Sequence, residues 1–158
     1  MLPREITAVH AIEVTSKCSL RCVYCPSPQI MAGKFPNRPA VHMDKPTFLR
    51  SLEWVRYFVR RGTQRIINLS GIGEPMMHPE FIEYAQLARD AIGPFGKVTF
   101  PTNGLHVTPE NAKALAEIKA EVWVSLHRPE KAESALRLLR EAGVDTHYSL
   151  DPVVNPND

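Results

Sequence analysis

The sequence predicts an α/β chain, an open, partial (β/α) barrel with about five parallel strands and four helices. Three observations carry this. Strand-like and helix-like segments alternate along nearly all of the 158 residues. Several strands alternate polar and apolar side chains, which gives each one greasy face and one polar face. A closed eight-stranded TIM-like barrel takes ~250 residues, so a chain of this length leaves the barrel unclosed. With 44% hydrophobic residues, a single domain over 1–158 with a real core is expected.

The first strand is read at 10–15, where Ile12 and Val14 alternate with Glu13 and Thr15. Asp44-Lys-Pro-Thr47 then starts a helix whose apolar stripe is Phe48, Leu52, Val55 and Val59, before Gly62 ends it. The second strand is 65–70. A helix follows His78-Pro79 with Phe81, Ala85, Ala88 and Ile92 as its stripe and Gly93-Pro94 as its stop. The third strand is 97–101. Thr108 caps the next helix, with Pro109 at its first position. The fourth strand is 121–126, the fourth helix 130–142, and the fifth strand 144–150. Val122, Val124 and Leu126 share one face of the fourth strand, and Trp123, Ser125 and His127 the other. In the fifth, Asp145, His147, Ser149 and Asp151 form a polar row. Strands covered on both faces read as continuous apolar runs, so these polar faces point to a ligand-filled concavity.

Segment 26–43 holds four prolines and no clear period. It is expected to be an irregular loop, either a surface excursion or a lid leaving directly from Cys25. The last strand is left as an edge. The open side is expected to be closed by the tail 152–158, by this loop, by a second copy or by a substrate or partner, with the last favoured.

Cys18, Cys22 and Cys25 are the only cysteines. Their C-x3-C-x2-C spacing follows the first strand. Iron–sulfur clusters are normally held by four cysteines, so three thiolates on a short loop hold three irons of a cubane and leave the fourth open. A disulfide framework does not fit an odd number crowded into one loop. A Cys3His zinc site with His10 or His42 is the other reading, though zinc ligands usually come as two separated pairs.

The cysteine spacing, with Tyr24 just before Cys25, resembles the signature of the radical S-adenosylmethionine (radical SAM) enzymes. Gly71-Ile-Gly-Glu-Pro75 resembles that family's glycine-rich SAM-binding segment. Thr102-Asn-Gly104 and Ser125-Leu-His127 end the third and fourth strands as in many members. The resemblance spans roughly 10–150 and implies a partial barrel, though members typically carry six β/α units. It implies a 4Fe–4S cluster on Cys18, Cys22 and Cys25, with SAM on the open iron. By the same resemblance, Gly71, Gly73 and Glu74 serve the SAM amino group. Asn103 and Ser125 reach its carboxylate or ribose, with Thr102 and His127 nearby, and Tyr24 packs beside adenine. The glycines also permit close backbone approach to a ligand. The implied activity is reductive cleavage of SAM, with one electron from an external donor, to a 5′-deoxyadenosyl radical that takes hydrogen from a substrate. That substrate is unidentified, with a protein or peptide among the candidates. The alternatives are an activase installing a glycyl radical on a partner protein, and a module that binds cluster or SAM without turnover.

A formal charge of +2 does not argue for nucleic acid. No run of eighteen apolar residues predicts a membrane span, and the first residues lack a signal-peptide core. Free cysteines of this kind need a reducing compartment, so the expected location is cytoplasmic. With all cysteines in one triplet, no second cluster and no methyl-carrying cysteine is expected.

Overall fold

The computed structural model describes residues 6–126 and 128–149. His127, Leu150 and the tail 151–158, all named above, lie outside the described residues.

Among the described residues, four strands form one all-parallel sheet in sequence order. They are β1 (Ile66–Asn68), β2 (Lys97–Thr102), β3 (Ala120–Ser125) and β4 (Asp145–Ser149). Five helices accompany them, namely α1 (Ser27–Met31), α2 (Lys45–Arg60), α3 (Phe81–Ile92), α4 (Pro109–Ile118) and α5 (Pro129–Glu141). A short 3-10 turn, Pro75–Met77, follows β1. The open partial barrel therefore holds, with one strand fewer and one helix more than expected.

The helices form where local signals place them. Asp44 caps α2 by accepting the Thr47 N–H at 2.8 Å. Thr108 and Asn111 form a reciprocal capping box at α4. The α2 stripe buries Phe48, Leu52 and Val55 as expected, but Phe58 takes the core position and Val59 is half-buried. Both residues lie on the inward side of a 3.6-residue period, and the larger ring fills the space. In α3 the expected stripe is buried together with Tyr84, whose ring stacks on Phe48 at 4.2 Å. Its hydroxyl donates to the Met43 carbonyl at 3.0 Å.

Strand register sorts the two faces. Val98, Phe100, Ala120, Val122 and Val124 are buried against the helices. Lys97, Thr99, Pro101, Glu121, Trp123 and Ser125 alternate with them and line, with Asn68 and Ser149, a concave cavity of about 490 Å³. Trp123 and His147 are register partners whose rings stack at 4.6 Å.

The expected first strand is the main departure. Segment 10–15 touches β1 through one parallel bridge, Ala11–Asn68, where the Ile12 N–H donates to the Asn68 carbonyl at 2.9 Å. Beyond it the backbone turns to another partner. The Met43 N–H donates to the Val14 carbonyl, and the Ser16 N–H to the Val41 carbonyl. Thr15 and His42 form an antiparallel bridge. Because its groups are shared between β1 and this returning segment, no regular ladder develops. Segment 26–43 is correspondingly less irregular than expected, since it contains α1 and then docks beside 14–16. It lies along that edge of the sheet, opposite to β4. No helix among the described residues is long and apolar enough to cross a membrane.

Candidate functional site

The C-terminal ends of parallel strands are where β/α sheets bind ligands, and a cleft of about 160 Å³ lies there. Every predicted site residue among the described ones lines it. Cys18, Cys22, Cys25 and Tyr24 come from the loop after 10–15, and Gly71, Gly73 and Glu74 from the turn after β1. Thr102 and Asn103 come from the end of β2, and Ser125 from the end of β3. The strands stop at one level, so residues up to 107 positions apart in sequence share one opening. His127 falls outside the described residues.

None of the three cysteines is in a disulfide, and all three are half-buried. The Leu20 N–H points at Cys18 Sγ (3.4 Å) and the Ser27 N–H at Cys25 Sγ (3.5 Å). Burial pushes the Cys18 thiol up, and the nearby Glu74 carboxyl and Cys25 add to this, while the Leu20 N–H and the Ser27 hydroxyl oppose it. Such a thiol is a poor anion until a cation joins it; coordination deprotonates it outright. Among the described residues, the one group whose metal-ligating atoms all lie within 4.8 Å of one another is Glu121, Asp145 and His147. The three sulfurs are thus spread wider than ligands of a single zinc ion, whose Zn–S bonds are about 2.3 Å. His42, one candidate fourth zinc ligand, packs its ring against His78 instead.

Gly71 and Gly73 line the cleft, and packing within the protein gives a second reason for glycine at both. A Cβ on Gly73 would sit 2.1 Å from the Thr15 carbonyl oxygen and 2.8 Å from that of Lys17. One on Gly71 would sit 2.3 Å from the Glu13 side chain. The space these glycines spare is filled by protein. The turn after β1 lies directly against the chain leading to Cys18, and the Glu74 N–H donates to the Lys17 carbonyl at 2.8 Å. Glu13, not singled out from sequence, accepts the Ile72 N–H at 2.6 Å and pairs with Arg38 at 2.7 Å. Its place on the polar face of segment 10–15 was the available signal.

Glu74 is buried, and three protein donors meet its carboxylate. Oε1 accepts from the Thr102 hydroxyl (2.8 Å) and the Met76 N–H (3.1 Å), and Oε2 from the Asn103 N–H (2.7 Å). Burial pushes its pKa up, against the pull of those donors. The Thr102 hydroxyl also accepts the Gly104 N–H at 3.1 Å. Gly104 has φ +78°, the left-handed turn that favours glycine. Glu74 and Thr102 therefore fasten the two strand ends together.

Asn103 is different. Its Oδ1 accepts the Leu105 N–H at 3.0 Å, but Nδ2 is buried without a partner. A buried unpaired donor is costly, and this one belongs to a residue lining the cleft. The thiols and this amide suit an iron–sulfur group with a polar ligand beside it.

Several known proteins are similar to this chain in sequence or in fold. A tungsten-containing aldehyde ferredoxin oxidoreductase cofactor-modifying protein of Pyrococcus furiosus is 30% identical over 111 residues, 70% of this chain and 28% of its own length. A PqqA peptide cyclase of Ruegeria pomeroyi is 31% identical over 108 residues, 67% of this chain and 25% of its own. A GTP 3′,8-cyclase of Aquifex aeolicus is 29% identical over 126 residues, 78% and 37% respectively. The chain thus spans well under half the length of these relatives. Among solved structures, BtrN in complex with AdoMet and 2-DOIA superposes with a TM-score of 0.69 at 18% identity, covering 91% of this chain and 56% of that one. Native anSMEcpe with bound AdoMet and Cp18Cys peptide gives 0.66 at 19%, covering 89% and 42%. Both show the same fold. The Radical SAM superfamily model matches residues 12–128, from the segment before the cysteine loop to the end of the β3 motif. With that match over well more than half its length, the chain belongs to the radical SAM superfamily.

Proposed function

We propose that Cys18, Cys22 and Cys25 hold a 4Fe–4S cluster, that S-adenosylmethionine lies beside it along the strand ends, and that the chain is the core of a radical SAM enzyme. The observation that carries this reading is the meeting, in one cleft, of three cysteines outside any disulfide and the buried, unpartnered Asn103 Nδ2. When bound, the two cofactors supply a 5′-deoxyadenosyl radical, formed with one electron from an external donor, that removes hydrogen from a substrate.

The chain's own part is to bind, orient and shield. The Leu20 and Ser27 N–H groups hold the sulfurs of Cys18 and Cys25 in place. Asn103 Nδ2 offers a donor to the SAM carboxylate or ribose, and Ser125 lies across the same cleft. Tyr24 forms a wall suited to an adenine ring. Glu74 and Thr102 act indirectly by fixing the backbone of Asn103. Pro101 and Ser125 line both this cleft and the concave cavity, so the substrate carbon enters from the concave side of the sheet. Three cysteines outside any disulfide suit a reducing, cytoplasmic setting.

The test is anaerobic reconstitution followed by turnover. Iron and sulfide near four each per chain, lost on Cys22→Ala, support the cluster. Release of 5′-deoxyadenosine from SAM and dithionite supports the enzyme. A stable cluster with SAM bound but no cleavage would identify a binding module instead. Bound zinc would end the reading.

A further inference from the structure

The concave cavity of about 490 Å³ shares Pro101 and Ser125 with the cofactor cleft. Strand register orders its wall in rows. Ser125 and Ser149 are partners in the row at the cleft, and Pro101, Trp123 and His147 form the row beneath. Asn68, Thr99 and Glu121 make the next one down. Successive rows on one face are about 6.6 Å apart, two residues of strand rise. A group resting on the Trp123 row therefore reaches the cleft with whatever is bonded to it.

Trp123 keeps 41% of its surface exposed, yet its ring is held in place. The indole N–H donates to Glu121 Oε1 at 3.1 Å, and Lys97 holds the other oxygen of that carboxylate. The His147 ring, one strand away, stacks on the indole at 4.6 Å and 24°. His147 is its one ring partner among the described residues, and Pro101 flanks it on the opposite strand. The space beside the second indole face thus lies over Pro101. A fixed indole with an open face is a platform for a flat π-system, whereas an aliphatic chain would be seated as well by any branched side chain. A second observation gives that ring an edge. Asn68 lies one strand and one row from Pro101, lines the same cavity, and has its Oδ1 buried without a partner. Such an acceptor calls for an N–H or O–H donor.

We infer that Trp123 selects the substrate: a planar aromatic ring stacks on it over Pro101, turns an N–H or O–H edge to Asn68, and holds its attached carbon toward Ser125, where hydrogen is removed. This rests on the reading of the cofactor cleft given above. The ring belongs either to a small molecule or to an aromatic side chain of a peptide, and the stacking chemistry is the same for both.

Two matched pairs of probes separate these sources, benzamide against cyclohexanecarboxamide and N-acetylphenylalaninamide against N-acetylcyclohexylalaninamide. Each pair keeps its amide donors and exchanges a planar ring for a puckered one. Dissociation constants are measured by saturation-transfer NMR on the reconstituted, SAM-bound chain as wild type, Trp123→Phe and Trp123→Leu. Wild type should favour the aromatic member of at least one pair by about threefold or more, and the pair with the tighter aromatic member identifies the source. Trp123→Phe should keep the preference and Trp123→Leu should abolish it. A purely structural effect would weaken both members alike, so a preference that survives in Trp123→Leu overturns the inference. Equal affinities in wild type, or no saturable binding of either aromatic probe, overturn it whether or not the variants fold. N,N-Dimethylbenzamide, which has no N–H, should bind more weakly than benzamide, and equal binding overturns the role given to Asn68. A protein that takes up neither cluster nor SAM overturns the site reading instead.

Discussion

Glu74 and Asn103, 29 positions apart, meet at 2.7 Å, where the buried carboxylate accepts the Asn103 backbone N–H. The same carboxylate accepts the Thr102 hydroxyl. The turn after β1 and the end of β2 are thereby joined at the cleft floor. In the proposed site Glu74 would serve as a positioning group as well as lining the cleft.

Glu74→Gln tests that role. An amide offers one acceptor oxygen where the carboxylate offers two, and its NH2 must face a donor. The expected loss is about 1–3 kcal/mol in urea denaturation of the metal-free protein, the cost of a stranded buried partner. Unchanged stability would show that the three donors are satisfied elsewhere.

Gly73→Ala places a methyl 2.1 Å from the Thr15 carbonyl oxygen, a backbone atom that cannot swing aside. The chain leading to Cys18 must move. A loss of about 1–3 kcal/mol is expected, with lower iron uptake on reconstitution. A variant with wild-type stability and iron content would contradict the packing described for this turn.

Asn103→Asp keeps an oxygen for the Leu105 N–H but replaces the unpartnered Nδ2 donor with a second acceptor. SAM affinity of the reconstituted protein should fall about tenfold or more, ~1.4 kcal/mol, with the cluster spectrum unchanged. Calorimetry showing equal affinity would separate Nδ2 from the ligand.

Lys97→Met addresses a pair at the other end of the strands. The hydrogen bond from Lys97 holds the Glu121 carboxyl below its ordinary value, with the Trp123 indole N–H adding to it and burial opposing. Because the folded pKa is depressed, the stabilisation is present above the unfolded value of about 4.3 and is lost as pH falls through the folded one. Lys97 is largely exposed, so solvent screens the pair and the expected cost at neutral pH is small. The difference between variant and wild type should shrink as pH falls below the unfolded value and through the depressed folded one. A difference that persists there would place the effect in packing.

What could be read from sequence was what depends on near neighbours in the chain. The spacing of Cys18, Cys22 and Cys25, the caps at Asp44 and Thr108, and the stripes of α2 and α3 each follow from local geometry. So does the clustering of Gly71, Asn103 and Ser125, because parallel strands present their C-terminal ends together. Tertiary structure decided what depends on which surfaces meet. Segment 10–15 has the alternation of a strand, yet its backbone groups are divided between β1 and the returning 41–43, and only one bridge to the sheet forms. Gly73 reads as room for a ligand, and only packing adds that a Cβ there would meet the Thr15 carbonyl. Glu74 reads as a contact for the SAM amino group, and only packing brings it the Thr102 hydroxyl and the Asn103 N–H from 28 and 29 positions away. Local backbone preference and periodicity are written residue by residue, whereas the burial of a carboxylate or the tightness of a turn exists only once distant segments are packed.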